Sequence, residues 1–528
     1  MRALEIILAL VTFAVVVAIL ADRLRAPAPS LLVVAGLAVG LIPGVSTVEV
    51  PPELVSLVVL PPLLYAAATD VSMREFRVVV RPVLILAIGL VALSALAVAV
   101  TVTVLAPQMT FTVGLVLGAV LASTDPVAVS ALARRLRLPP RLLALVQGES
   151  LLNDATSLVL FTVAVGIVVA GTPVTALGVL GQFVWLGGAG ALVGLFFGWV
   201  VERLRRRTND AVLHTVLALL TPYVVYVGAE LLHTSGVTAV VLCGLSLSRR
   251  GDLDLRGPVR LQTAQMYTVI IFILESMVFA LIGLELPTLL RNLTPADQGF
   301  LWVALALTVV LILTRVLWIF PTGYLRRFSG IGERVTESVS PWRSLLVLSW
   351  AGTRGVVPLA AALSIPLVTD DGSPFPNRDL ILVLAVSCII LTLLVQGLTL
   401  APLVKRLKVR TDMAQLDEEK SLALQATTTA ALASIDDLAD EDIPESVVTR
   451  VRREIEARVQ RLHPSVDDDS ADELTSGDAY RRLRLAILVV EAEQLASLHE
   501  DGRIGESVRR EVQRSLDLEE AALRGGSR

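Results

Sequence analysis

The sequence predicts an all-α polytopic membrane protein of about thirteen transmembrane helices, with inverted repeats, two broken crossing helices and a soluble helical C-terminal domain. Three observations carry this. The 528 residues are 54% hydrophobic, with a mean hydropathy of +0.73, too apolar for an ordinary soluble protein. Apolar runs of bilayer-spanning length alternate with arginine clusters. After Arg410 the composition turns to Glu, Asp, Arg, Ala and Leu at helical spacing. The expected division is a membrane domain over 1–408 and a cytoplasmic helical tail over 409–528.

The first run, 3–21, follows Arg2 as a signal peptide would, but it is too long for an h-region and lacks a small-x-small cleavage site, so it reads as a span. Runs 30–43, 54–69, 83–106, 110–133 and 142–170 follow. Next come 175–201, 211–232, a short run at 237–247, then 263–286, 299–325, 344–367 and 380–404. One set of loops carries the positive charge, in groups such as Arg74, Arg77 and Arg81, Arg134, Arg135 and Arg137, Arg205 to Arg207, and Lys405, Arg406 and Lys408. The opposite loops hold chiefly Arg291 and Arg378. Positive-inside counting places the N-terminus outside and the tail in the cytoplasm. Charge distributed this way argues against nucleic-acid binding. Cys243 and Cys388, both inside apolar runs, give neither a disulfide framework nor a metal spacing. In the tail, helices are expected over 447–462, 480–499 and 504–523. The acidic stretch 464–478 lacks the EF-hand spacing and reads as a linker.

Two polar islands interrupt this apolar pattern. The fifth run contains Ser123-Thr124-Asp125-Pro126, where Pro126 removes an N–H and disfavours helix at Asp125, freeing backbone carbonyls at membrane depth. In the sixth run Glu149, Ser150, Asn153, Asp154 and Ser157 fall within an arc of roughly 140°, opposite Leu151, Leu152, Ala155 and Leu158. Carboxylates in a span are costly and mark ion or proton paths. The competing reading, a purely structural hydrogen-bond network, carries less weight.

The twelfth run supplies a counterpart in Gly352-Thr353-Arg354-Gly355-Val356-Val357-Pro358. It lies an odd number of runs from the fifth, so the two cross in opposite directions, as broken helices of inverted repeats do. Arg354 is expected to form a structural salt bridge with Glu149 or Asp125, since an unpaired guanidinium at that depth is very costly. Asp70, Glu275 and Arg315 are further candidates for the ion path or for bundle stability. Gly283, Gly187, Gly188 and the glycines from Gly190 to Gly194 read as helix-packing contacts.

At these motifs the sequence resembles the monovalent cation:proton antiporters, the branch that contains the bacterial and eukaryotic sodium/proton exchangers. The residues that carry the likeness are Thr124-Asp125-Pro126-Val127-Ala128-Val129, Gly148 through Asp154, Leu274-Glu275 through Gly283, Thr353-Arg354-Gly355, and Leu394-Val395-Gln396-Gly397-Leu398-Thr399. The resemblance implies that Asp154 is the ion- and proton-carrying carboxylate, that Thr124 and Ser150 help coordinate the ion, and that Glu149 pairs with Arg354. It also implies that the Asn153-Asp154 pair accompanies electroneutral exchange, and that the protein is a homodimer. One departure stands out. Many relatives have a Glu after Leu63-Leu64-Tyr65, where this chain has Ala66, with Asp70 one turn later.

The expected function is thus secondary antiport of Na+, or K+ or Li+, against H+ by alternating access at Asp154 in a bacterial plasma membrane. Hard oxygens at Asp154, Ser150 and Thr124 suit an alkali cation as cargo, and no cofactor or enzymatic activity is implied. A cation channel is the first alternative and predicts current without obligatory proton exchange. An intramembrane aspartyl protease is weaker, because the Gly-x-Gly-Asp signature of such proteases is absent.

Overall fold

The structure, a computed structural model, describes residues 12–21, 23, 28–42, 51–125, 138–171, 176–208, 210–248, 257–293, 295–297, 299–328, 341–409, 413–439, 443–460 and 476–525. The beginning of the first expected span, Pro126 with the remainder of the fifth, Arg134, Arg135 and Arg137, and most of the expected linker at 464–478 lie outside these residues. Among the described residues the chain is helical, and the one β-type pairing is an isolated bridge between Val368 and Pro374. This follows from the apolar runs, since backbone amides in hydrocarbon must be satisfied within their own segment.

The chain divides into two compact units. In the first, α1 (Thr12–Ala21), α2 (Ala28–Gly40), α3 (Val55–Thr69), α4 (Met73–Leu105) and α5 (Phe111–Ala122) precede a long α6 (Pro140–Ala170). Then come α7 (Ala176–Arg205), α8 (Ala211–Leu231), α9 (Gly236–Ser248), α10 (Gly257–Asn292) and α11 (Phe300–Phe328), with α8 in this unit from Val216 and α10 from Met266. The twelfth expected span is in two pieces, α12 (Pro341–Trp350) and α13 (Val356–Leu363), followed by α14 (Arg378–Leu407). Seven of these helices are long and apolar enough to cross a membrane by themselves. Where they lie among the described residues, the expected runs each fall mainly on one of these helices or on the α12–α13 pair.

Close approach of helices depends on small residues at a few points. A Cβ on Gly283 of α10 would lie within hard contact of the Val33 carbonyl and Gly36 of α2. Gly190 and Gly194 of α7 press in the same way on Ser235 and Ala239 at the start of α9. Gly187 and Gly188 depart from the packing expectation, because a Cβ on either would meet open space. Two π-turns, Ile85–Leu90 in α4 and Leu393–Gly397 in α14, shift the buried faces of those helices.

The second unit contains α15 (Met413–Leu438), α16 (Glu445–Gln460), α17 (Ser476–Glu500) and α18 (Glu506–Gly525), together with Arg206–Thr215 and Arg249–Gln265. Its interior holds Ala423, Leu488, Leu495, Ile504, Val508 and Leu516 in one cluster, and Ile435, Val451, Ile455, Leu483 and Ile487 in another. Within this unit Arg260 pairs with Asp517, and the Gly257 N–H donates to Glu520 Oε2 at 2.7 Å. Buried Arg484 is enclosed by Glu491 and Glu519. Glu506, held by Arg509 and Arg510, opens α18.

Candidate functional site

The α5 helix ends at Ala122, and Ser123 turns the chain into extended backbone at φ −65° and ψ 144°. The unwound residues are taken up by neighbouring segments, so the buried amides are not left unsatisfied. Asp125 N–H donates to the Thr353 carbonyl at 2.7 Å, and Thr353 Oγ1 donates to the Asp125 carbonyl at 3.0 Å. The stretch after α5 and the break between α12 and α13 therefore meet through a reciprocal pair of hydrogen bonds.

The α6 helix is continuous past this crossing and lays its polar face against it. Ser150 Oγ donates to the Thr124 carbonyl at 2.5 Å, and Asn153 Nδ2 donates to Thr124 Oγ1 at 2.7 Å. The Thr124 N–H completes the set, donating to Asn153 Oδ1 at 3.5 Å. Ser123 Oγ donates to Asp154 Oδ1, and Ser157 Oγ to the Asp154 carbonyl at 3.1 Å. Asp154 is 6% exposed, and Thr124, Ser150 and Asn153 are equally enclosed. The structure thus gathers Thr124, Ser150, Asn153 and Asp154 in one place. It adds Ser123, which the sequence marks only as part of its polar island.

Glu149 corrects the expected salt bridge. Its carboxylate is held by Arg315 of α11: Nη2 donates to Oε2 at 2.8 Å, and Nη1 pairs with Oε1. The same guanidinium also donates to the Leu348 carbonyl, through Nε at 3.2 Å and Nη2 at 3.1 Å. It thereby closes the C-terminal end of α12, where carbonyls lack helical partners. Arg315 thus supplies the guanidinium of the buried pair with Glu149. Arg354 instead turns to backbone: Nε donates to the Leu121 carbonyl at 3.2 Å and Nη1 to the Gly352 carbonyl at 2.6 Å. Both acceptors lie where a half-helix ends, so the cation faces the negative ends of α5 and α12. The sequence marks both arginines as intramembrane charges, and an unpaired guanidinium points to a bridge at Arg354, but nothing in it shows that Arg315 is the one that meets the acid.

Asp125 has the complementary position. Its carboxylate lies against Gly355, the residue preceding the first turn of α13, in the volume that a Cβ there would occupy. An anion at a helix N-terminus is favoured by the free N–H groups and the dipole. Glu275 of α10 is half-buried and close enough to Asp125 for the two charges to interact. Asp70 is exposed at the C-terminal cap of α3 and stands outside the buried polar cluster. Among the described residues, no group of three His, Cys, Asp or Glu side chains could hold a metal ion. The site offers hydroxyl, carbonyl and carboxylate oxygens around one acid, a donor set suited to an alkali cation in transit.

A buried, oxygen-lined site where the end of α5 meets the α12–α13 break, in a chain of apolar helices, fits a membrane transporter. The family model for the sodium/hydrogen exchanger transmembrane domain matches residues 10–406, and the chain belongs to that family. An uncharacterized Na+/H+ exchanger of Mycobacterium tuberculosis is 36% identical over 98% of this chain and 96% of its own length. The Na+/H+ antiporter ApNhaP of Aphanothece halophytica is 33% identical over 74% of this chain and 71% of its own. A sodium, potassium, lithium and rubidium/H+ antiporter of Bacillus pumilus is 31% identical over 79% of this chain and 63% of its own. In fold, the chain resembles the sodium proton antiporter MjNhaP1 of Methanocaldococcus jannaschii. The TM-score is 0.62 at 22% identity, over 77% of this chain and 99% of that one.

Proposed function

We propose that this protein is a secondary active antiporter that exchanges Na+ for H+ across the bacterial plasma membrane by exposing Asp154 alternately to the two sides. One observation carries this reading. Of the two most deeply buried acids on α6, Glu149 has a guanidinium partner, whereas Asp154 is bonded through its side chain by the Ser123 hydroxyl. A carboxylate removed from water without a basic partner has to be neutralised, by a proton or by a cation. Both cannot occupy it together, and that exclusion is the coupling between the two ions.

The residues around Asp154 support the rest of the cycle. With a cation bound, the Ser123 hydroxyl rotates its proton away and offers a lone pair without moving its oxygen. Thr124 and Ser150 supply further oxygens beside Asp154, and Asn153 holds the unwound segment against α6. Glu149 is balanced by Arg315, and Asn153 is neutral, leaving one exchangeable charge at this position. That favours one Na+ for one H+ without net charge movement. K+ and Li+ remain within reach of the same oxygen donors, and the multi-cation antiporter among the relatives supports including them. Rocking of the region that contains α5, α6, α12, α13 and α14 against the other membrane helices would provide the alternating access. The N-terminus lies outside, the residues from 409 onward form a cytoplasmic domain, and the unit in the membrane is a homodimer.

Reconstitution in liposomes tests this. Outward gradients of Na+, K+ and Li+ are imposed with an internal pH dye and at set voltages. Cation-driven pH changes of equal rate at each voltage support electroneutral antiport. Cation current without proton movement would replace it with a channel.

A further inference from the structure

The π-turn Leu393–Gly397 presents a polar group that the exchange site does not use. Along α14 the inward residues recur as Thr392, Gln396, Leu400 and Val404, with Leu394, Val395, Leu398 and Thr399 exposed. Gln396 follows Thr392 by four residues, about one helical turn, and so lies nearly in line with it. On one side of Gln396, Thr392 Oγ1 accepts from the Arg354 N–H at 3.4 Å. On its other side, Leu400 packs in one cluster with Val347, Leu348 and Ala351. Gln396 therefore stands level with the 351–354 break between α12 and α13. Its side chain is fully buried, and neither amide atom, Oε1 or Nε2, has a hydrogen-bond partner.

An orphaned amide in such a place needs a physical reason, because each unpaired buried polar atom costs about 1–3 kcal/mol. An apolar side chain of the same length would avoid that cost. Residues 351–354 are short of helical hydrogen bonds by construction, and a buried water with two to four polar partners is the usual way such groups are satisfied. We propose that Gln396 is a positioning residue for the exchange site: through buried water its amide fixes the 351–354 break, and so holds Thr353 in register with Asp125. From the break the contacts run on, from Thr353 to Asp125 and from Thr124 to α6. Only the transport readout below rests on the antiport reading.

The test compares the full-length protein with Gln396→Met, which keeps the shape and removes the hydrogen bonding, and with Gln396→Asn, which retracts the amide by one methylene. Hydrogen–deuterium exchange over 350–356 is measured in detergent, and Na+/H+ exchange in proteoliposomes across pH. Deuterium uptake in that segment is expected to rise in both variants. The maximal exchange rate is expected to fall roughly five- to tenfold, as the loss of about one hydrogen bond implies, with the thermal midpoint unchanged or higher. A folded variant with wild-type uptake over 350–356 overturns the proposal. Altered uptake in a protein that shows no antiport in any form would leave Gln396 in place and overturn the transport assignment instead. If Gln396→Met fails to reach the membrane, Gln396→Asn gives the same readouts.

Discussion

Glu149 and Asp154 lie five residues apart on α6, yet Arg315 grips Glu149 with both terminal nitrogens while Asp154 receives the Ser123 hydroxyl. One helix thus carries one acid whose charge is balanced within the protein and another whose charge, in the proposed cycle, is left to the transported ion. Replacement of Asp154 by Asn should leave the protein folded and abolish cation-driven pH change in proteoliposomes. Thermal unfolding close to wild type would separate lost transport from lost structure, and persistent exchange would remove Asp154 from its role.

Ser123→Ala removes the hydroxyl that donates to Asp154 and that, in the proposed cycle, also serves the bound cation. A single charge-assisted hydrogen bond contributes about 1.5–3 kcal/mol, part of which a water can restore. The half-saturating Na+ concentration at fixed pH should therefore rise by roughly three- to tenfold, with the maximal rate less affected. The measurement is a Na+ titration of exchange at several pH values.

The Arg315–Glu149 pair should behave asymmetrically. Glu149→Leu or Arg315→Met alone leaves an uncompensated buried charge and should cost about 3–5 kcal/mol, seen as lower yield and a lower thermal midpoint. The double substitution Glu149→Leu with Arg315→Met should recover part of that loss, although the Leu348 carbonyl loses its donor. A double-mutant cycle in thermal unfolding gives the coupling.

Arg354→Lys keeps the charge but not the fork that reaches two carbonyls at once. We expect a loss of about 1–3 kcal/mol in stability from the carbonyl left unpaired. Exchange should be slowed further, because the break that carries Thr353 is loosened. Thermal unfolding together with initial exchange rates checks both.

In the tail, burial alone would raise the Glu506 carboxyl, but Arg509 and Arg510 overcome it and hold the group down at about 2. A depressed carboxylate stabilises the folded form above its unfolded value, near 4.5, and loses that contribution as pH falls toward 2. The whole contribution amounts to roughly 3 kcal/mol. Glu506→Gln should therefore speed deuterium uptake at the start of α18 at neutral pH. The wild-type segment should loosen over the acid window from about 4.5 to 2 while the variant changes little.

Much of this site is legible in the residues themselves. Gly352, Gly355 and Pro358 announce the break between α12 and α13, and the period of Glu149, Ser150, Asn153 and Asp154 announces the polar face of α6. Sequence gives the face of a helix but not its neighbour. The guanidiniums of Arg315 and Arg354 are interchangeable on paper, and their partners are decided by the Leu121, Leu348 and Gly352 carbonyls, which any residue type could have provided. Ser123 is hidden for a similar reason: next to a helix end, an extended backbone angle decides whether a hydroxyl faces the acid or the lipid.

The distance along the chain between Glu149 and Arg315 has a consequence for biosynthesis. The acid is translated 166 residues ahead of its partner, roughly 10–30 s at ordinary elongation rates. During that interval α6 cannot rest in hydrocarbon with a bare carboxylate. It has to wait in a wet environment or enter with Glu149 protonated, and its final seating is completed when α11 arrives. A chain arrested after α6 and before α11 should therefore be extracted from the membrane by alkali more readily than one released after α11.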